Sequence, residues 1–340
     1  MTTRLTVRHR HHKLGLSTVI HSLCAISILA CSVSSNGKPP AESSKFRVAL
    51  VTTGPVSDQG WNAGAYQGLL RIRDSLGARI SNVQTQTPAD IDENFRQYGA
   101  SGYDLVFGHG FEYQDPAIRV APAFPHTMFV TTSGTRTAAN VAGVAFAFSD
   151  GAYLAGVVAG AASHSGIIGV IGGTQLPPVV AAFRAFQAGA LSVNPKITML
   201  TAYVGNWEDA SAAKEQALAQ IARGADVIFQ DADAAGLGVF QAARQTRGVR
   251  IIGSNSDQNS VAPEVTLGSV VIDLPRAMMM IARDVKNGTF KGHVYRLGDA
   301  DGVVRWVANP KLAHEISPET LVRLDSAKRR IDAGTLEIPQ

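Results

Sequence analysis

From residue 46 onward, short apolar runs alternate along the chain with stretches of helical periodicity. "FRVALVTT" (46–53), "YDLVFGHG" (103–110), "TMFVTTS" (127–133), "SGIIGVIGG" (165–173), "ITMLTAYVG" (197–205), "ADVIFQDA" (225–232) and "VRIIGSNS" (249–256) are near-continuous apolar runs. Each is bounded by Gly, Asp, Ser or Asn, the pattern of strands buried on both faces. Between them "NAGAYQGLLRIRDSLG" (62–77) places Ala65, Leu69, Ile72 and Leu76 at helical spacing. "PPVVAAFRAFQAGALSV" also reads as a helix, as does "DASAAKEQALAQIARG", which opens on an Asp and closes on Gly224. Strand and helix in alternation predict parallel sheets with helices on both faces.

Polar and aromatic residues gather where these strands end. Asp58 and Trp61 follow the first, "GHGFEYQD" another, and "NWED", "DAD" and "SNSDQN" come later. In open parallel sheets the ligand crevice lies outside the carboxyl ends of the strands, so these loops are expected to converge. "GPVSDQGWNAGAYQGL" (54–69) is the most unusual of them, because a Trp stands in a Gly/Asp turn.

Length and composition narrow the picture. The 340 residues suffice for two domains, and 45% apolar with 17% charged residues is ordinary for a globular core. The net charge of +4 does not indicate nucleic acid. Four of the 31 basic residues (Arg4, Arg8, Arg10, Lys13) fall within 1–30, which holds no Asp or Glu, and the other 27 balance 27 acidic residues. Residues 1–30 read as an export signal, with a basic start and the apolar run "LGLSTVIHSLCAISILA", too short for a membrane span. The run ends in "ILAC", the form of a bacterial lipoprotein signal with Cys31 as the acylated residue; an ordinary secretory signal with an incidental cysteine is the alternative. Cys24 fits less well because Leu23 precedes it, and residues 31–45 read as a flexible Ser/Pro-rich tether.

The loops resemble those of the basic membrane protein family, the purine-nucleoside-receptor-like solute-binding lipoproteins of ABC importers. Asp58-Gln59-Gly60-Trp61-Asn62 is similar to the family's acidic residue followed by "SFN" or "GWN", and Gly108-His109-Gly110-Phe111 to its Gly-x-Gly-Phe turn. "GAYLAGVVAG" (151–160), "VNPKITMLTAYVGNWEDA", "RGADVIFQDADAAGLGVFQAA" and "GSNSDQ" (253–258) follow in the family's order, so the resemblance covers nearly all of 46–275. It implies an α/β type I periplasmic-binding-protein fold, with two doubly wound parallel-sheet lobes joined by a hinge. One lobe is expected at 46–147 plus 255–288 and the other at 148–254 plus 289–340. It also implies a purine nucleoside or nucleobase as ligand, an ABC permease and ATPase as partners, and a lipid-anchored place in the cell envelope facing the periplasm or exterior.

In that frame Trp61 and Trp207 are the expected stacking plates, one from each lobe. A core role is the alternative for each. Asp58, Asp231, Asp233 and Asp257 are candidate acceptors for ligand N–H or hydroxyl groups, or else caps of the helices that follow. Asn62 offers both donor and acceptor. Asp115 matches a Gly-Phe-x-x-x-Asp pattern, with capping as its other reading, and Gly110, Phe111 and Ser133 complete the expected site. One departure bears on the ligand: where family members carry a lysine, "GSVVIDLP" (268–275) has none, and Ile272 occupies the place.

Other classes find less support. No nucleophile elbow, phosphate-binding loop, zinc motif or paired-cysteine metal site occurs, so neither catalysis nor a cofactor or metal is expected. A transcription regulator of the same fold would need a DNA-binding domain where the export signal stands. A sensory lipoprotein binding another small polar ligand, such as a sugar derivative, would share the same sequence features.

Overall fold

The computed structural model describes residues 45–339. The chain runs β1 (Arg47–Thr52), α1 (Trp61–Leu76), β2 (Arg79–Gln84), α2 (Pro88–Ala100), β3 (Leu105–His109), α3 (Gln114–Val120), β4 (Met128–Thr132) and β5 (Val141–Phe146) through a first lobe. It continues through α4 (Phe148–Ala162), β6 (Ile167–Gly172), α5 (Pro177–Val193), β7 (Thr198–Tyr203), α6 (Ala210–Ala222), β8 (Val227–Asp231), α7 (Leu237–Gln245), β9 (Arg250–Asn255) and β10 (Thr266–Ile272) in a second. It then returns to the first as α8 (Leu274–Lys286) and β11 (Val294–Leu297), and ends in the second as β12 (Val304–Ala308) and α9 (Pro318–Asp332).

The sheet orders are β11-β5-β4-β3-β1-β2 and β12-β10-β9-β8-β6-β7. Among the described residues the named strands pair in parallel except β10 with β12, because the chain enters β12 directly after leaving β11 and runs back along its neighbour. Central strands carry the apolar runs seen in the sequence; Val48, Leu50, Leu105, Phe107, Ile228 and Ile252 are fully buried. β2 is an edge strand with no fully buried position, and its sequence "RISNVQ" carries no strand signal of that kind.

The chain first crosses between the sheets at 147, after β5. The later crossings do not fall at 255 and 289. β10 pairs in parallel with β9 and so belongs to the second sheet, and β11 pairs with β5 in the first. The lobes are therefore 45–147 plus 273–298 and 148–272 plus 299–339, crossing between β10 and α8 and between β11 and β12. The segment 268–272 is an apolar strand, which the motif comparison alone did not show.

Glycines set the helix packing. Gly64 and Gly68 on α1 are floored by Leu274 and Met278 of α8, both pairs one turn apart. The "GAYLAGVVAG" segment forms much of α4, where a Cβ on Gly156 would lie 2.0 Å from the Phe186 carbonyl oxygen of α5. On α5, a Cβ at Gly189 would lie 2.0 Å from the Tyr153 oxygen of α4. The two backbones are in direct contact, and only glycine permits that approach.

Candidate functional site

The loop after β1 is built around Asp58. Its carboxylate accepts from the backbone N–H of Gly60 (3.0 Å), Asn62 (2.7 Å) and Ala63 (2.8 Å), and from Asn62 Nδ2 (3.0 Å). An anion accepting the orphan N–H groups at the start of α1 is held by charge-assisted bonds and by the helix dipole. With four donors on it and 1% exposure, Asp58 is a structural cap beneath the site. Asn62 is likewise buried, its amide engaged on Asp58, while its Oδ1 has no partner.

The cap fixes Trp61 as the first residue of α1. The indole stacks on His109 at 4.0 Å between centroids and meets Phe146 edge-on at 6.0 Å. His109 is fully buried between Thr132 Oγ1 on Nδ1 (2.9 Å) and the Trp61 carbonyl on Nε2 (3.0 Å). A carbonyl can only accept, so Nε2 carries the proton and Nδ1 accepts from Thr132. Burial pushes this imidazole down to about 3, against the opposing bond to Trp61, so the ring is neutral at physiological pH.

The second lobe supplies the opposite wall. Trp207 lies over Gly173, where a Cβ would stand 2.1 Å from the indole Cε3, and it is half-buried. At the ends of β8 and β9, Asn255 Nδ2 donates to Asp231 Oδ1 at 3.1 Å and Asp233 Oδ1 at 3.4 Å. Asp233 and Asn255 both hold positive φ, at 51° and 65°, a strained backbone that aims the three side chains together. Gln258 locks this arrangement from behind: its Oε1 accepts from Gln230 Nε2 (2.6 Å) and the Ser254 N–H (3.0 Å).

The two walls touch at several points. Ser256 Oγ donates to the Gly60 carbonyl at 2.9 Å, and Gln84 Nε2 donates to Glu208 Oε1 at 2.9 Å. The Trp207 side chain reaches Glu112 across the cleft.

Between the lobes lies a cavity of about 790 Å³. Trp61, Gly110, Phe111, Ser133, Trp207, Asp231 and Asp233 all line it. Asp58 and Asn62 do not, because they are consumed in the cap. Asp115 is not brought to it either; it is exposed and paired with Arg136. Asp257 is exposed and accepts from the Asn259 N–H at 3.1 Å, an Asx turn. Glu112 and Asn255 line the cavity without having been singled out in the sequence. Asn255 stands two residues before Asp257 in the "SNSDQ" run, and a strand-end residue there is the signal that could have found it.

The wall is acidic. Burial raises the Asp231 carboxyl to about 6, opposed by bonds from Asn255 and Ser254. Asp233 is raised well above the usual range by burial and then by the charges of Asp58, Asp231 and Glu112. Burial raises Glu112 as well, opposed in part by its own backbone and by Trp207. The one basic side chain on the described wall is Arg296, at the far side beside Leu297. Among the described residues no group of three or more His, Cys, Asp or Glu side chains could hold a metal ion.

Two doubly wound lobes with a cavity across their facing strand ends are the architecture of a two-lobed small-ligand binder. The chain belongs to the family of PnrA-like ABC transporter substrate-binding proteins, whose model matches residues 45–333. That is a family of binding proteins, not of enzymes. A purine-binding protein of Brucella abortus is 30% identical over 299 residues, covering 86% of this chain and 85% of the relative. Basic membrane protein A of Borreliella afzelii is 28% identical over 319 residues, covering 92% and 95%. An ABC solute-binding protein of Aeropyrum pernix superposes with a TM-score of 0.79 over 86% of this chain and 93% of its own, at 22% identity, which shows the shared type I periplasmic-binding fold.

Proposed function

We propose that this protein captures a purine base or nucleoside in the cavity and delivers it to the permease of an ABC importer. The observation that carries the reading is the pairing of walls: Trp61 from one lobe and Trp207 from the other border the same space as two carboxylates with no basic partner beside them. Flat aromatic plates suit a purine face, and Asp231, whose carboxyl is ionised above about pH 6, can then only accept, so the ligand must bring an N–H or O–H donor to it. The acidic wall repels phosphates, which favours bases and nucleosides over nucleotides. The similarity to a purine-binding relative supports the same choice. Calorimetry of the purified protein against adenine, guanine, their nucleosides and small sugars tests it; binding of sugars alone would sink the purine assignment.

Asp231 gives this binding a pH dependence. Donation from ligand to Asp231 requires the ionised form, so affinity is expected to level off above about pH 7 and fall as the pH drops through 6, approaching tenfold per unit. The neighbouring wall is acidic too: Asp233 is itself raised by burial and by the charges of Asp58, Asp231 and Glu112. In the free protein the sign is opposite. A carboxyl whose folded value lies above 3.8 contributes stability below that pH and loses it as the pH rises through about 6. Titrations between pH 5 and 7.5 in buffers of different ionisation enthalpy should show proton release near pH 6; a flat affinity would remove Asp231 from the ligand's partners.

We further propose attachment to the periplasmic or extracellular face of a bacterial membrane through lipid on Cys31. Cys31 lies outside the described residues, and no described helix is long and apolar enough to cross a membrane. Cys31→Ser is expected to move the protein from the membrane to the soluble fraction on cell fractionation; retention in the membrane would refute the anchor.

A further inference from the structure

The cavity wall is divided by polarity. Asp231, Asp233, Asn255 and Glu112 cluster at the ends of β8 and β9 and after β3. The crossings between the lobes contribute a mainly apolar surface, with Ser149, Asp150 and Arg296 as its polar members. Phe146 and Phe148 flank the first crossing, Ile272 precedes the second, and Leu297 precedes the third. Leu176 and Val179 at the start of α5 extend the same lining. Ile272, Leu297 and Val179 are 6%, 4% and 5% exposed, so their chains are packed in place as a fixed wall.

A ribose hydroxyl pressed against the Phe148, Ile272 and Leu176 side chains, rather than against Ser149, Asp150 or Arg296, would lose its water without gaining a partner, which disfavours binding. An apolar group there gains about fourfold in affinity for each buried CH₂. The volume of about 790 Å³ also lies in the upper part of the range of drug-sized ligand sites, more than a bare base requires.

Building on the purine reading, we infer that the preferred ligand is a purine carrying an apolar substituent. Its donor-bearing end meets Asp231 and Asp233, and the substituent lies against Ile272, Phe148 and Leu176. The shared chemistry has two sources: an alkyl or arylalkyl group on the base, or an alkylthio group at the 5′ carbon of a nucleoside.

Calorimetry on the purified protein with two matched pairs separates them, using adenine against 6-benzylaminopurine and adenosine against 5′-deoxy-5′-methylthioadenosine. The expected result is at least tenfold tighter binding of the substituted member in one pair, and that pair identifies the source. Leu176→Ser and Ile272→Thr are then expected to shrink this ratio severalfold. Leu176 stands at the N-cap of α5, where Ser is favoured, so that variant keeps the helix start. Parents binding as tightly as both substituted compounds would overturn the inference and leave the purine reading intact. Binding of none of the four would remove both.

Discussion

Replacing Trp207 with Ala is expected to weaken purine binding by roughly 5- to 150-fold, the equivalent of about 1–3 kcal/mol for one lost stacking plate. Trp207 is the better of the two plates to remove. It is half-buried in a loop over Gly173, whereas Trp61 is 9% exposed and packs on His109 and Phe146, so its loss would also cost stability. The chain has three Trp residues, and Trp306 on β12 does not line the cavity. Ligand quenching of fluorescence should therefore fall in the variant without vanishing, with Trp61 reporting what remains. An unchanged melting temperature would confine the effect to the site. An affinity within twofold of the unaltered protein would mean that Trp207 does not stack on the ligand.

Gly156→Val is expected to destabilise the protein by at least about 3 kcal/mol, seen as a large fall in the urea midpoint or as loss of soluble protein. Overpacking usually costs less when a side chain can give way. Here the obstacle is the Phe186 carbonyl oxygen, and relief requires the whole of α5 to move off α4. Gly166→Ala is the contrast. Gly166 has open space around it and φ +74°, so the change carries only the left-handed backbone penalty of about 1–2 kcal/mol. Equal midpoints for the two variants would argue against close α4–α5 contact.

Much of the fold was legible because the buried strands are continuous apolar runs, and those runs survive as β1, β3, β4 and β6 to β9. β2 was not legible because "RISNVQ" mixes polar and apolar residues, which an edge strand with no fully buried position permits; β7, also an edge strand, keeps an apolar run and so was read. β10 is buried at every position, but its segment was read for a missing lysine rather than as a strand, and it was placed with 255–288 in the first lobe. The site divided in a similar way. Strand-end position and aromatic character singled out Trp61, Phe111, Trp207, Asp231 and Asp233, which the structure places along one cavity. Position could not tell an Asp that faces the cavity from one that faces a helix start. Asp58 lies at such a start, and its bonds run to backbone N–H groups four and five residues on. In "SNSDQ" the charged residue drew notice, while the structure uses its neighbours: Asn255 to orient two carboxylates and Gln258 to bind the loop.

The interleaving of the lobes has a consequence for how the molecule is made. β11 closes one edge of the first sheet and β12 one edge of the second, and both lie beyond residue 290. During synthesis the N-terminal part of a chain emerges first and domains ordinarily fold in turn. Here neither lobe can complete its sheet when its main segment has emerged. Each sheet takes its last edge strand from the same late stretch of the chain.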